Sequence, residues 1–270
     1  MGMYAPYYGL TESAFSKTPD PKYLFESDVY EEAILQLLYA VQEREFGIVV
    51  GPAGSGKTLL TRVLLDRLGD GYEVGLIVNP RLTPMQFLET AAVELGVSRP
   101  AQRKSALMFQ IQDRLLSLEE SGRPAVLIVD EAHLVPTREI FEEIRLLANI
   151  QLDDRNLLAV LLVGQPELKA RLKRKCYAPL VQRFGAQLEL RPLCGEETAR
   201  YLEHRLRVAG SRWQLFTKQA VASLHEAAHG LPRSINNLAT LCLIEAMADG
   251  HTMVNEKNVS NAVESLLFPA

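Results

Sequence analysis

A chain of 270 residues that is 47% hydrophobic and 23% charged has ample material for a core, which excludes a mainly disordered protein. With 29 Lys+Arg against 33 Asp+Glu the net charge is −4, the wrong global sign for a protein that coats nucleic acid, so any such contact must come from a local patch. The three cysteines, Cys176, Cys194 and Cys242, form neither a disulfide framework nor a zinc pattern and suit a reducing cytoplasm.

Residues 1–27 are rich in aromatics and proline and read as an ordered arm packed on the domain that follows. Ser27 is placed to cap a helix over 28–44. A short strand at 46–50, a glycine-rich turn and a helix over 57–68 come next. A strand at 74–78 is followed by helices over 84–95 and 103–120. The run at 125–129 has no polar residue and reads as a buried strand. A helix over 137–149, a strand at 157–163 and a last strand at 187–190 complete the alternation. Strands alternating with helices imply a doubly wound, parallel, five-stranded α/β sheet covered on both faces. Beyond Pro192 only helices are predicted, over 195–208, 217–228, 234–249 and 256–266. The expected division is therefore an arm at 1–27, an α/β domain at 28–193 and a small all-helical lid at 194–270. The longest apolar runs, 125–129 and 157–164, fall far short of the roughly 20 residues of a membrane helix, and the N-terminus has no secretory signal.

Residues Gly51-Pro52-Ala53-Gly54-Ser55-Gly56-Lys57-Thr58 fit G-x-x-x-x-G-K-[ST] without a mismatch, between a predicted strand and a predicted helix. Glycines let backbone N–H groups turn toward phosphate oxygens, and the helix start adds its positive end. Lys57 supplies a point charge for the β- and γ-phosphates, and the Thr58 hydroxyl is a ligand for Mg²⁺. The strand at 125–129 delivers Asp130 and Glu131 at its C-terminal edge, where α/β sheets bind ligands. Asp130 suits Mg²⁺ held through water, and Glu131 suits orientation and polarisation of an attacking water.

A second pattern competes. His225-Glu226-Ala227-Ala228-His229 is H-E-x-x-H, which on a helix sets two imidazoles on one face for zinc, with Glu226 as base and Glu245, folding back from the next helix, as the best candidate for a third ligand. Gly230 and Pro232 follow at once and weaken it. The run 169–175 holds five positive charges and no acid, a candidate for DNA phosphates or for a solvated helix face.

Taken together, the residues resemble the AAA+ ATPases of the ExeA/GspA general-secretion type, with their MSHA-pilus and exosortase-associated relatives. Transposition ATPases of the TniB/TnsC kind look more distant. The resemblance is carried by the arm (Tyr4, Tyr7, Tyr8-Gly9-Leu10, Ala14-Phe15, Thr18-Pro19-Asp20-Pro21, Tyr23-Leu24-Phe25), by Asp130-Glu131-Ala132-His133-Leu134, by the run from Glu143 to Asn149, by Val163-Gly164-Gln165-Pro166-Glu167-Leu168, by Gln182-Arg183-Phe184 and by the run from Gly230 to Asn236. It implies Mg²⁺-dependent ATP hydrolysis, with the choice of ATP resting on the family. It implies sensor roles for Gln165 and Arg233, an arginine finger at Arg183 acting in trans in a ring or filament of identical chains, and a switch role for Asn79 on Glu131. It places an adenine pocket among residues 23–30 and the lid. The expected role is nucleotide-driven assembly that remodels or positions a partner in secretion, pilus or envelope assembly, with a DNA-bound regulator of transposition as the alternative. Secretion-type members continue into a membrane helix and a peptidoglycan-binding region. The sequence to Ala270 shows neither, and a cytoplasmic chain is expected.

Overall fold

The computed structural model describes residues 3–16, 20–25, 28–153 and 155–266. Ser27, the expected cap, and Thr18-Pro19 of the arm lie outside them. The chain forms two compact units, one of residues 31–53 and 60–190 and one of 1–30, 54–59 and 191–270.

The first unit is α/β. Helix α1 (Asp28–Gln42) leads to β1 (Phe46–Val50), α2 (Lys57–Leu68), β2 (Glu73–Ile77), α3 (Pro84–Glu94), α4 (Lys104–Glu120), β3 (Ala125–Val129), α5 (Arg138–Leu147), β4 (Leu158–Gly164), α6 (Pro166–Leu172), α7 (Ala178–Val181) and β5 (Phe184–Glu189). The first residues of α1 (to Tyr30) and of α2 (to Leu59) count with the helical unit. The five strands lie in the order β2-β3-β4-β1-β5, every pair parallel. The apolar β3 is buried along its whole length between β2 and β4, as expected of a strand covered on both faces. Helix α5 turns Ile140, Phe141, Ile144 and Leu147 inward at spacings of three and four, and α3 starts on a capping box in which Thr83 and Gln86 satisfy each other's backbone.

The last strand begins at Phe184, three residues earlier than the sequence suggests. Phe184 pairs with Phe46 and their rings meet edge to face at 5.8 Å, so a tertiary contact decides the strand's start. Helix α6 is not predicted from the sequence, because seven residues are too few to show a helical period.

The second unit is helical. It contains α8 (Gly195–Val208), α9 (Lys218–Ala228), α10 (Pro232–Ala248) and α11 (Glu256–Glu264), and its core also takes in Tyr4, Ala5, Tyr8, Leu10, Ala14 and Phe15. The aromatic arm, expected on the α/β core, thus belongs to the helical unit. The reason lies in its polar atoms. The Tyr8 hydroxyl donates to the Leu243 oxygen at 3.1 Å, and buried Arg205 donates from Nε to the Ala14 oxygen at 2.7 Å while its guanidinium lies 4.1 Å from the Tyr23 ring centroid.

The start of α8 carries a charge-assisted clamp. Arg191 donates to both carboxylate oxygens of Glu197, at 2.7 and 2.9 Å, and the Cys194 N–H adds a third bond at 2.8 Å. The Arg191 guanidinium, foremost, holds the Glu197 carboxyl at about 2, down from 4.5. A carboxyl depressed in the folded state contributes its stability above the unfolded value and loses it as pH falls through the folded one. Glu197→Gln is therefore expected to lower stability at pH 7 by about 1–2 kcal/mol, since half-exposed Arg191 is partly screened by solvent. The gap between variant and wild type should close as pH falls from 4.5 toward 2, the span between the unfolded and folded values. Urea titrations of both proteins at a series of pH values measure it, and a pH-independent gap would contradict it.

Candidate active site

In the α/β unit, three chain segments leave the carboxyl edge of neighbouring strands. Glycine 51 leaves β1, with its N–H donating to the Gly164 oxygen at 3.2 Å, and Gln165 leaves β4 beside it. The acidic pair leaves β3, next in the sheet. The Asp130 N–H still pairs with the Ile77 oxygen of β2 at 2.8 Å, and buried Asp130 accepts the Glu131 N–H on Oδ1 at 2.8 Å. The next residue breaks away sharply: Glu131 has φ 52° and ψ 34°, a left-handed conformation that costs a non-glycine residue energy and turns up where function holds it.

The turn Ala132–Leu134 then brings His133 against the end of β4. Position 164 is tight, since a Cβ there would lie 3.2 Å from the His133 backbone nitrogen and 2.9 Å from Leu168 Cδ2, and glycine leaves room for the turn. The Gln165 N–H donates to His133 Nδ1 at 3.3 Å. That bond makes Nδ1 an acceptor and leaves the ring proton on Nε2. Glutamate 131 Oε2 lies 3.4 Å from the same Nδ1, so the two are near with no proton between them. Among the described residues the Glu131 carboxylate accepts no hydrogen bond, and its side chain is 36% exposed. The result is an ionisable oxygen pair on a residue whose main chain is held in a left-handed turn, and the pair is open to water. Sequence reasoning gave His133 no role. Its only signal was its position two residues after the acidic pair.

The other expected residues of this unit are placed as follows. Gln165 begins α6 as its N-cap, yet its side chain makes no capping bond, which leaves the amide available. Asn79 is exposed and accepts the Arg81 N–H on Oδ1 at 3.4 Å, a local turn. No hydrogen bond joins it to Glu131 among the described residues. Arg183 follows α7 and precedes β5, half-buried, and makes no ion pair among the described residues.

Of the basic run, Lys169 pairs with Glu189. Arg171 turns inward to the Val135 oxygen, the Tyr177 hydroxyl at 3.1 Å and the Phe141 ring. Lys169, Lys173, Arg174 and Lys175 are exposed, so of the five cations only Arg171 is drawn inward to anchor α6 and the other four lie on a solvated surface.

In the helical unit, Gly54 and Gly56 take φ of +82° and +99°, which their lack of a side chain permits. Ser55 and Lys57 are buried, Thr58 is exposed, and Ser55 Oγ has no hydrogen-bond partner among the described residues. Arg233, in the first turn of α10, donates its backbone N–H to the Gly54 oxygen at 3.2 Å while its side chain is exposed.

The zinc pattern does not survive folding. Helix α9 ends at Ala228, and His229 is its C-cap at φ 50°, so the two histidines do not share a helix face. His225 Nδ1 is engaged with Thr198 Oγ1 at 2.9 Å. No group of three or more His, Cys, Asp or Glu among the described residues could hold a metal ion, so Glu245 completes no ligand set.

Sheet order, glycine loop and acidic turn define a P-loop nucleotide-binding fold. Residues 40–172 match the family model described as an AAA domain. The chain is 37% identical over 263 residues to general secretion pathway protein A of Aeromonas hydrophila, covering 96% of this chain and 48% of that one. It thus comprises an AAA+ ATPase domain homologous to general secretion pathway protein A, and it spans about half the length of that relative. Among solved structures it is similar to the Drosophila ORC bound to DNA (TM-score 0.70, 18% identity, 93% of this chain and 63% of that one). It is also similar to the Aeropyrum pernix ORC2 protein (0.68, 18%, 94% and 71%) and to the Thermotoga maritima RuvB branch migration motor (0.59, 17%, 94% and 74%). At these identities the likeness shows the fold. No helix among the described residues is long and apolar enough to cross a membrane.

Proposed function

We propose that this domain hydrolyses ATP with Mg²⁺ and that nucleotide drives its assembly with copies of itself, in the service of secretion, pilus or envelope assembly. The observation that carries the reading is the Glu131 carboxylate, held in a left-handed turn at the end of the buried β3 and accepting no hydrogen bond among the described residues. Such a group suits polarising a water for attack on phosphorus.

The loop fits a polyphosphate, because its buried Lys57 and Ser55 lie in a glycine-hinged backbone. The hard oxygens of Thr58 and Asp130 suit Mg²⁺. When bound, that ion neutralises charge on the β- and γ-phosphate oxygens. Residues Gly51, Pro52, Ala53, Gly54, Ser55 and Gly56 supply backbone N–H groups (Pro52 shaping the loop only), and Lys57 supplies charge. Gln165 reaches the γ-phosphate or the attacking water as a sensor, and Arg233 links nucleotide state to the helical unit. For Asn79 the structure offers a turn role, and a switch role would require that turn to open. Arg183 completes a neighbouring chain's site. The secretion role rests on the relative named above.

Lys57→Ala tests the reading. Removing the loop's cation is expected to weaken ATP binding roughly 10–100-fold, the loss of a charge-assisted contact or two. Titration with a fluorescent ATP analogue measures it, and unchanged affinity would place the nucleotide elsewhere.

A further inference from the structure

The glycine loop is held from outside by two of its carbonyls. The Arg233 N–H donates to the Gly54 oxygen at 3.2 Å, and the Tyr30 hydroxyl donates to the Ser55 oxygen at 3.2 Å. These are successive peptides, and no peptide among the described residues is cis. In a planar trans peptide the C=O and the N–H point opposite ways. Fixing the Gly54 and Ser55 carbonyls on the outer side therefore turns the Ser55 and Gly56 N–H groups to the inner side. Successive N–H groups in a backbone of alternating hand make an anion-binding concavity. Glycine at 56 is what admits the contact, because a Cβ there would lie 1.9 Å from the Tyr30 hydroxyl oxygen.

On the reading that residues 51–58 hold nucleotide phosphates, we propose that Tyr30 is a positioning residue of the phosphate loop. Its hydroxyl, bonded to the Ser55 carbonyl, fixes the peptide whose N–H faces the polyphosphate. Tyrosine suits the task. The hydroxyl is a donor with reach from the first turn of α1, and it holds its proton, since desolvation, with Tyr201 second, pushes its pKa well above 10. The Arg233 amide does the same for the preceding peptide from the first turn of α10. Unlike a side-chain contact to phosphate, this one acts before any ligand arrives. It preorganises the loop, and its loss should show as affinity.

The test is Tyr30→Phe, which removes one hydroxyl and keeps the ring. ATP, ADP and inorganic tripolyphosphate are titrated against wild type and variant by displacement of a fluorescent nucleotide, with urea unfolding as the check on folding. Loss of one neutral hydrogen bond predicts a common weakening of roughly 3–10-fold for all three ligands. The Michaelis constant for ATP should rise by the same factor and kcat should change less. Unchanged affinities overturn the proposal. So does a loss confined to ATP and ADP with tripolyphosphate unaffected, which would put the ring against the base instead. So does a fall in unfolding midpoint with no change in affinity, the mark of a merely structural role. Wild type that binds neither ATP nor tripolyphosphate would instead sink the phosphate reading on which the proposal rests.

Discussion

Glu131→Gln is expected to lower ATP turnover roughly 10²–10⁴-fold, the range for losing a positioned base, while ATP affinity stays close to wild type. Glutamine keeps the length, the planar head and one carbonyl oxygen, so the turn at β3 has no steric reason to change. What disappears is the negative charge that draws a proton from water. The variant keeps the main chain that carries the side chain, because Asp130 Oδ1 accepts the Glu131 N–H and the Leu134 N–H donates to the Glu131 carbonyl oxygen, both at 2.8 Å. The carboxylate is not consumed by a neighbour. His133 Nδ1, 3.4 Å away, accepts the Gln165 N–H and has no proton to offer. Phosphate release at saturating ATP and equilibrium binding of an ATP analogue separate the two effects. Hydrolysis at the wild-type rate would remove Glu131 from the chemistry, and a loss of binding equal to the loss of rate would make it a ligand contact rather than a base.

What the sequence disclosed follows from whether the decisive interaction was local. The β3 run has one physical explanation, since five consecutive apolar residues between turn signals fit a strand buried on both faces. The glycine loop was equally plain, because its backbone hand demands glycine whatever surrounds it. The edge strand β5 is half-exposed, so its apolar pattern is weak and its first residues are settled by Phe46. The arm declared itself ordered through its aromatics, but its partners on α8 and α10 lie some 190 to 240 positions along the chain and left no local trace. His133 was legible as part of a motif and illegible as a residue with a fixed tautomer, since that depends on an amide 32 residues away. The H-E-x-x-H pattern carried its own refutation in Gly230 and Pro232, which stop α9 before its second histidine joins the helix.

Arg183→Ala is expected to leave the chain folded and able to bind ATP yet slow hydrolysis by at least 10²-fold, since an arginine finger is worth roughly 10³–10⁵. The guanidinium is half-buried with no ion pair among the described residues, whereas Arg191 is committed to Glu197 and Arg205 to the arm's carbonyls. Its place just before the edge strand β5 sets it at one margin of the sheet. A finger in trans has consequences that a residue serving its own chain lacks. ATP favours assembly only if it binds the assembled state more tightly, and a γ-phosphate contact from a neighbour is such a difference. Specific activity should then rise with protein concentration. Mixing Arg183→Ala with Glu131→Gln is sharper. Each variant alone is nearly inactive, but at a junction between them an intact Glu131 can meet an intact Arg183, and activity should partly return. If mixtures shown to co-assemble recover nothing, and wild-type activity is flat with concentration, Arg183 does not act on a neighbour and nucleotide-driven assembly loses its mechanism.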